Sequence, residues 1–187
     1  MQNGTGSESD GSRAVFQDET KDKGKERRKE KTNRAGEKEE VKDANKAILE
    51  ALKDKDDKKA YALAKEIGAK SAETNEYYEM FDAFVSMLGE KSSYVRTRGF
   101  CLACAQARWD VAGKVVAAFD EMKVLLNDEK PTVVRQCLSA LHEVVLYRPE
   151  LSDRITEAVK NIDLSRYKDS MTPLIKKDAD ELLKMME

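Results

Sequence analysis

From about residue 41 to the end of the chain, apolar residues recur at three- and four-residue steps. This spacing places them along one side of an α-helix, so it predicts a series of amphipathic helices. Five stripes of this kind begin at Val41, Ala60, Tyr77, Val111 and Val134. A similar stripe of smaller residues begins at Val95, and no segment alternates as a β-strand does. We therefore predict an all-α fold.

Proline and capping residues agree with these helices. Pro131, Pro149 and Pro173 each stand where a helix could begin, and proline is tolerated in the first turn because its missing N–H would have no partner there. Thr172, before Pro173, and Asp110, before the Val111 stripe, are predicted N-caps. The predicted helices thus have start signals as well as apolar faces.

The predicted helices come in pairs, and the pairs repeat. Residues 88–96 align with residues 126–135, and the two Val-Arg pairs, at Val95 and Val134, are 39 residues apart. A shift of 39 residues towards the N-terminus aligns Ala60 with Gly99, and a shift of 41 residues towards the C-terminus aligns Ile175 with Val134. Four two-helix units would then account for residues 41–187, at a period typical of helical repeats.

The segments LNDEKPTVVRQCLSALHEVV and LGEKSSYVRTRGFCLACAQA carry a family resemblance. An acidic turn, a proline or serine, then Val-Arg and small residues resembles the start of the inner helix of a HEAT repeat. The resemblance implies a small bacterial member of that family, a right-handed α-α superhelix of about four helix pairs. In such a superhelix the second helices line a concave surface that binds partners, and Asp–Arg pairs form a ladder along the turns. Glu90 and Arg96 have the family's spacing of six, whereas Asp128 and Arg135 are seven apart.

Residues 1–40 differ from the rest of the chain. They hold five of the nine glycines, ten acidic and ten basic residues, and one sizeable apolar pair, Val15-Phe16. Such a segment buries too little apolar surface to offset the entropy of ordering it, so we predict a disordered charged tail at 1–40 before a HEAT-like repeat domain at 41–187. Its basic stretch 21–34 suits either an electrostatic tether to RNA, lipid or an acidic protein, or a solubilising tail.

The charge, the length and the cysteine content of the chain limit the classes of function that the protein can have. The chain has 187 residues with 34 basic and 36 acidic side chains, a net charge of −2, which excludes a histone-like polycation. No apolar run approaches the roughly 18 residues of a membrane span, and the N-terminus does not resemble a signal peptide. Three cysteines are an odd number for a secreted disulfide framework. We expect a cytoplasmic protein without a membrane span.

Candidate catalytic and metal-binding residues are few. Cys101, Cys104, Cys137 and the single histidine, His142, could form a zinc set, but at about 100° per residue the histidine points away from the cysteine pair. The single histidine is not placed in the sequence as a general base beside a serine or cysteine nucleophile. The glycines after residue 40 lie too far apart to form a glycine-rich phosphate-binding loop. We therefore predict no enzymatic activity, catalytic residue, metal, cofactor or small-molecule substrate.

A ridge on the second helices is the candidate partner-binding surface. It mixes polar, apolar, aromatic and arginine side chains, a composition that suits protein contact, although an ordinary solvent-exposed face would also fit. Its residues are Thr97, Cys101, Cys104, Arg108, Gln136, Ala140, Glu143 and Tyr147. The leading interpretation is a non-enzymatic protein-interaction module, an adaptor, an assembly scaffold or a regulatory subunit.

A second interpretation is a nucleic-acid-binding protein. HEAT-like repeats also build the small bacterial alkylpurine DNA glycosylases, whose concave face uses a tryptophan, an aspartate and an arginine. Trp109, Asp110 and Arg148 supply these residue types. The balanced charge, the single tryptophan and the capping position of Asp110 favour a structural role for them instead.

Overall fold

The computed structural model of the protein describes residues 39–187, and the regular structure in that range is entirely helical. The helices are α1 (39–52), α2 (Asp57–Ser71), α3 (Phe81–Ser86), α4 (Ser93–Ala105), α5 (Lys114–Met122), α6 (Pro131–Tyr147), α7 (Ser152–Lys160) and α8 (Thr172–Lys184). Short 3₁₀ segments extend three of them: Tyr78–Met80 and Met87–Gly89 flank α3, Lys123–Asn127 follows α5, and Pro149–Leu151 precedes α7. The all-α prediction is confirmed for the described residues.

The chain divides into two units, one ending at Lys46 and the other spanning Ala47–Glu187. In the first unit, the described residues 39–46 are helical, so Glu39 and Glu40, which the sequence analysis assigns to the tail, are part of a helix. The rest of the predicted tail, with its basic stretch 21–34, lies outside the described residues.

Local signals in the sequence explain where several helices begin. Asp56 is the N-cap of α2, and its carboxylate accepts a hydrogen bond from the backbone N–H of Lys59. Pro131 is the first residue of α6, and Pro149 opens the 3₁₀ turn that leads into α7. Gly113 adopts a left-handed φ of +72° directly before α5, a conformation that glycine reaches without a Cβ penalty.

The even-numbered helices pack side by side. Helix α2 contacts α4, α4 contacts α6, and α6 contacts α8, while α3 packs against α4 and the segment after α5 packs against α6. One hydrophobic cluster runs through these contacts. Its largest fully buried side chains include Phe81, Phe84, Phe100, Phe119, Leu138 and Leu141. We call α2, α4, α6 and α8 the second helices.

Two sequence expectations about helix starts are wrong. Val111 is 95% exposed, because it lies in the turn before α5, whose buried stripe begins at Val115. The N-cap of α8 is Met171, whereas Thr172 is already helical and donates its hydroxyl to carbonyls of the preceding turn, including that of Leu164.

None of the helices described within residues 39–187 combines the length and the apolar character that crossing a membrane requires.

Candidate functional site

Three recesses lie along the surface of the second helices. The largest, about 720 Å³, is formed by residues of α2 and α4, a second of about 300 Å³ by α4 and α6, and a third of about 380 Å³ by α6 and α8. Gln136 contributes to the walls of all three. We call this surface the second-helix groove, and it is the candidate functional site.

Two exposed tyrosines mark the largest recess. Tyr61 on α2 and Tyr94 on α4 are 58% and 63% exposed, although each carries a large apolar ring. The basic side chains of Lys58 and Lys65 line the same recess. Exposed aromatic rings beside cations can cover an apolar ligand surface and attract an acidic one.

Arg98 is the buried charge of this recess. Its side chain is 5% exposed, and its Nη1 donates to the Asp57 carboxylate at 3.4 Å. Its Nε and Nη2 atoms have no hydrogen-bond partner and almost no contact with solvent. A buried cation with two unpaired donors is costly to a fold, so this guanidinium is the most unusual group of the groove.

Five of the eight residues predicted for the partner-binding ridge line the recesses. They are Thr97, Cys101, Gln136, Ala140 and Glu143. Thr97 is largely buried, and its hydroxyl donates to the Ser93 carbonyl. The prediction that Cys104 lies on the accessible ridge is wrong, because α4 has neighbouring helices on both sides and the thiol is 1% exposed.

The remaining two predicted residues, Arg108 and Tyr147, meet outside the recesses. The guanidinium of Arg108 lies 5.4 Å from the centre of the Trp109 ring and 5.5 Å from that of the Tyr147 ring. Its Nη1 also donates to the Ala72 carbonyl, which follows the end of α2, at 2.8 Å. These contacts hold the arginine between aromatic rings at the carboxyl-terminal ends of the second helices.

The cysteines are free thiols whose surroundings suppress ionisation. Burial raises the pKa of Cys101 to about 11 and raises the pKa values of Cys104 and Cys137 well above the ordinary range. His142 lies apart from them, in the recess between α6 and α8. Within residues 39–187, no cluster of three histidine, cysteine, aspartate or glutamate side chains has a metal-binding arrangement.

The structure brings Trp109, Asp110 and Arg148 together in a packed junction. The Asp110 carboxylate is fully buried and accepts hydrogen bonds from the Tyr78 hydroxyl at 2.7 Å and from the backbone N–H groups of Lys114 and Val115 at 2.8 Å. Burial, followed by the bond to Asp110, raises the pKa of Tyr78. Asp110 lies four residues before α5, whose N-cap residue is Gly113, yet its carboxylate accepts bonds from the first two N–H groups of the helix and does not face solvent.

The side chains of Trp109 and Arg148 form hydrogen bonds with main-chain carbonyls of this junction. Trp109 donates its indole N–H to the Ser71 carbonyl at 2.6 Å, and Arg148 donates to the carbonyls of Ala107 and Asp110. Each acts on main-chain groups at the end of the preceding second helix. The three side chains therefore connect the ends of α2, α4 and α6 with the start of α5.

Sequence analysis missed Arg98, Tyr61 and Tyr94 as groove residues. A signal for Arg98 existed, because it lies three residues after Val95 and four before Leu102, at the step of a buried stripe. A charged residue at such a position is either paired or functional. The tyrosines gave no comparable signal, since single exposed aromatic residues are common on protein surfaces.

Comparisons with known proteins give no further identification: no protein-family model, no curated protein and no solved structure matches this chain.

Proposed function

We propose that the second unit is a short α-solenoid of HEAT-like helix pairs and that it works as a non-enzymatic protein-interaction module of the cytoplasm. Its partner binds in the second-helix groove, and the protein acts as an adaptor or assembly scaffold. The observation that carries this proposal is the groove itself, a row of recesses with aromatic and charged side chains along the neighbouring helices α2, α4, α6 and α8.

Hydrogen bonds that recur at similar sequence separations, between 38 and 41 residues, support the solenoid. Trp109 and Arg148 are 39 residues apart, and each donates to a main-chain carbonyl of the preceding helix pair, at separations of 38 and 41 residues. Arg166 bonds to the Asn127 carbonyl in the same manner, at a separation of 39. Stacked repeats contact their immediate neighbours in this way.

A ladder of arginine–aspartate pairs supports the resemblance to HEAT repeats. Arg96 binds both carboxylate oxygens of Asp128 through Nε and Nη2, at 2.8 and 3.0 Å. Arg135 binds Asp178 through the same two nitrogens. Each arginine thus pairs with an aspartate further along the chain: Asp128 lies in the turn before α6, and Asp178 lies within α8.

Photocrosslinking tests the location of partner binding. A benzoylphenylalanine placed at position 136, which lies in all three recesses, is compared with one at Val124, an exposed residue of the segment after α5. Both proteins are irradiated in an extract of the source cells, and the crosslinked products are identified by mass spectrometry. We expect a defined protein to crosslink from position 136 and not from position 124.

The proposal fails if position 136 gives no specific product, or if both positions crosslink the same proteins to the same extent. The second outcome would show adhesion without a defined face. An added Ala140→Arg change, which places a large cation in the recess between α4 and α6, should abolish the specific crosslink.

Nucleic-acid binding remains the alternative hypothesis. No feature of the Asp110 site favours a glycosylase, because the carboxylate is buried and already fully bonded. Titration of a fluorescent DNA duplex tests this alternative at low and at moderate salt. Micromolar binding that weakens steeply with salt and is lost in Arg108→Ala would replace the protein-interaction proposal.

A further inference from the structure

We infer that the recess between α2 and α4 is a carboxylate-binding site, in which Arg98 receives an acidic side chain of a docked peptide segment. The inference rests on the proposed function and adds the chemistry of the partner. It commits to one occupant, an aspartate or glutamate flanked by an apolar residue.

The empty edge of the Arg98 guanidinium is the first observation. Of its three nitrogens, only Nη1 has a partner, the carboxylate of Asp57 at 3.4 Å, while Nε and Nη2 have none. The side chain is more than nine-tenths buried and belongs to the wall of the recess. An acidic group that enters the recess from outside the chain would supply the acceptor that these two buried donors lack.

The same edge binds carboxylates elsewhere in this molecule. Arg96 and Arg135 each use Nε and Nη2 as a pair, and each places them on the two oxygens of an aspartate. The flat, two-donor edge matches the geometry of a carboxylate, and such bidentate contacts are among the stronger hydrogen bonds of proteins. Arg98 presents this edge without its aspartate.

The surroundings of Arg98 favour an acidic ligand with an apolar neighbour. Lys58 and Lys65 add positive charge to the same wall, and the single carboxylate among its residues, Asp57, already contacts Nη1. Tyr61 and Tyr94 expose their rings beside the recess and can cover an apolar side chain next to the acidic one. Both Nε and Nη2 of Arg98 are closed to solvent, so entry of the carboxylate requires a local rearrangement of the recess wall.

Selection of peptides tests this inference. A displayed library of random peptides is selected on the full chain, and the enriched sequences are synthesised with a fluorescent label for anisotropy titrations. We expect enriched peptides to share an aspartate or glutamate beside an apolar residue. Replacing that glutamate with glutamine should weaken binding by about tenfold or more.

Variants of the protein assign the effect to the guanidinium edge. Arg98→Lys keeps the positive charge but removes the Nε and Nη2 pair. Its affinity for the acidic peptide should be lower than that of the parent by about tenfold or more, whereas its affinity for the glutamine peptide should equal that of the parent. Arg166→Lys is the matched control, because Arg166 lies in the 3₁₀ turn between α7 and α8, outside the recess, and this change should leave the affinity unchanged. Thermal unfolding of each variant checks that the fold is retained.

Three outcomes would overturn the inference: no peptide is enriched, the enriched peptides lack acidic residues, or Arg98→Lys binds them as tightly as the parent. Competition by inorganic phosphate but not by acetate would overturn the assignment to a carboxylate. The proposed function is tested separately by the crosslink from position 136. If that crosslink persists in Arg98→Lys, the protein-binding groove is retained as a proposal and only the carboxylate site is rejected.

Discussion

Asp110 shows how one carboxylate can stabilise several parts of this molecule. It accepts bonds from the Tyr78 side chain and from two backbone N–H groups at the start of α5, and the Arg148 guanidinium lies 3.8 Å away. A carboxylate at the amino-terminal end of a helix also interacts favourably with the helix dipole. Its complete burial is tolerated because each of these contacts compensates lost hydration.

Replacing Asp110 should therefore be costly. We expect Asp110→Ala to lower the free energy of unfolding by about 3 kcal/mol or more, because it leaves a tyrosine hydroxyl, two N–H groups and Arg148 without their acceptor. Urea denaturation followed by circular dichroism measures this loss. Asp169→Ala, at an exposed turn, is the control and should change the stability by less than about 0.5 kcal/mol. Equal stability of the two variants would contradict the structural role of Asp110.

The thiol of Cys101 gives a prediction about pH. The thiolate is the reactive form, and burial raises the pKa of this group to about 11, so the native thiol stays protonated at pH values where an ordinary cysteine ionises. We expect alkylation by iodoacetamide at about pH 8 to be roughly a hundredfold slower in the native chain than in the unfolded chain. The native rate should keep rising as the pH approaches 11.

A native alkylation rate that levels off near pH 8.5, the ordinary range of cysteine, would contradict the raised pKa of Cys101. The variant with Cys104 and Cys137 replaced by serine confines the measurement to this thiol.

At the scale of elements, the close approach of α3 and α4 depends on a missing side chain. A Cβ built on Gly99 would lie 2.6 Å from the Met87 Cβ and 2.6 Å from the Phe84 carbonyl oxygen. Neither atom belongs to the flexible end of a side chain, so a methyl group there would push the helices apart. Gly68, in the middle of α2, has open space where its Cβ would be.

The two glycines should respond oppositely to alanine. Gly99→Ala is expected to lower the free energy of unfolding by about 1–3 kcal/mol through overpacking. Gly68→Ala is expected to raise it by about 0.5–1 kcal/mol, because alanine loses less backbone entropy in a helix. Chemical denaturation of both variants checks the pair. Stabilisation by Gly99→Ala would show that α3 and α4 pack less closely than the structure describes.

At the scale of the second unit, α6 is the central element. It contacts α4 on one side and α8 on the other, as well as the segment that follows α5. Its buried residues therefore cover a wide arc and include Val133, Cys137 and Val144 beside the predicted stripe. Leu141 is fully buried in this arc, whereas Leu146 of the same helix is 61% exposed.

These two leucines test the packing of the unit. Leu141→Asp places an unpaired carboxylate between helices and should lower the free energy of unfolding by about 4 kcal/mol or more, or abolish folding. Leu146→Asp should stay within about 0.5 kcal/mol of the parent. Thermal unfolding measures both, and if Leu141→Asp yields no folded protein, Leu141→Ala should still lose about 2–5 kcal/mol. A Leu141→Asp protein that melts like the parent would refute the predicted register of α6.

The sequence by itself determined the helical class, most buried stripes and the proline starts, because helical spacing and proline sterics act within a few residues. It also predicted that Thr97 and Cys101 of α4 and Gln136 and Glu143 of α6 share a surface, because residues three, four or seven apart lie on one face of a helix, and these four residues line the recesses. Only the tertiary structure decided which side chains the neighbouring helices cover. That packing buried Cys104, left Val111 in solvent and enclosed Asp110 within a junction, because burial depends on residues that lie some 30–40 positions away in sequence. The unpaired edge of Arg98 follows from the same cause, since the pairing of a guanidinium is set by whichever side chains the fold brings to it.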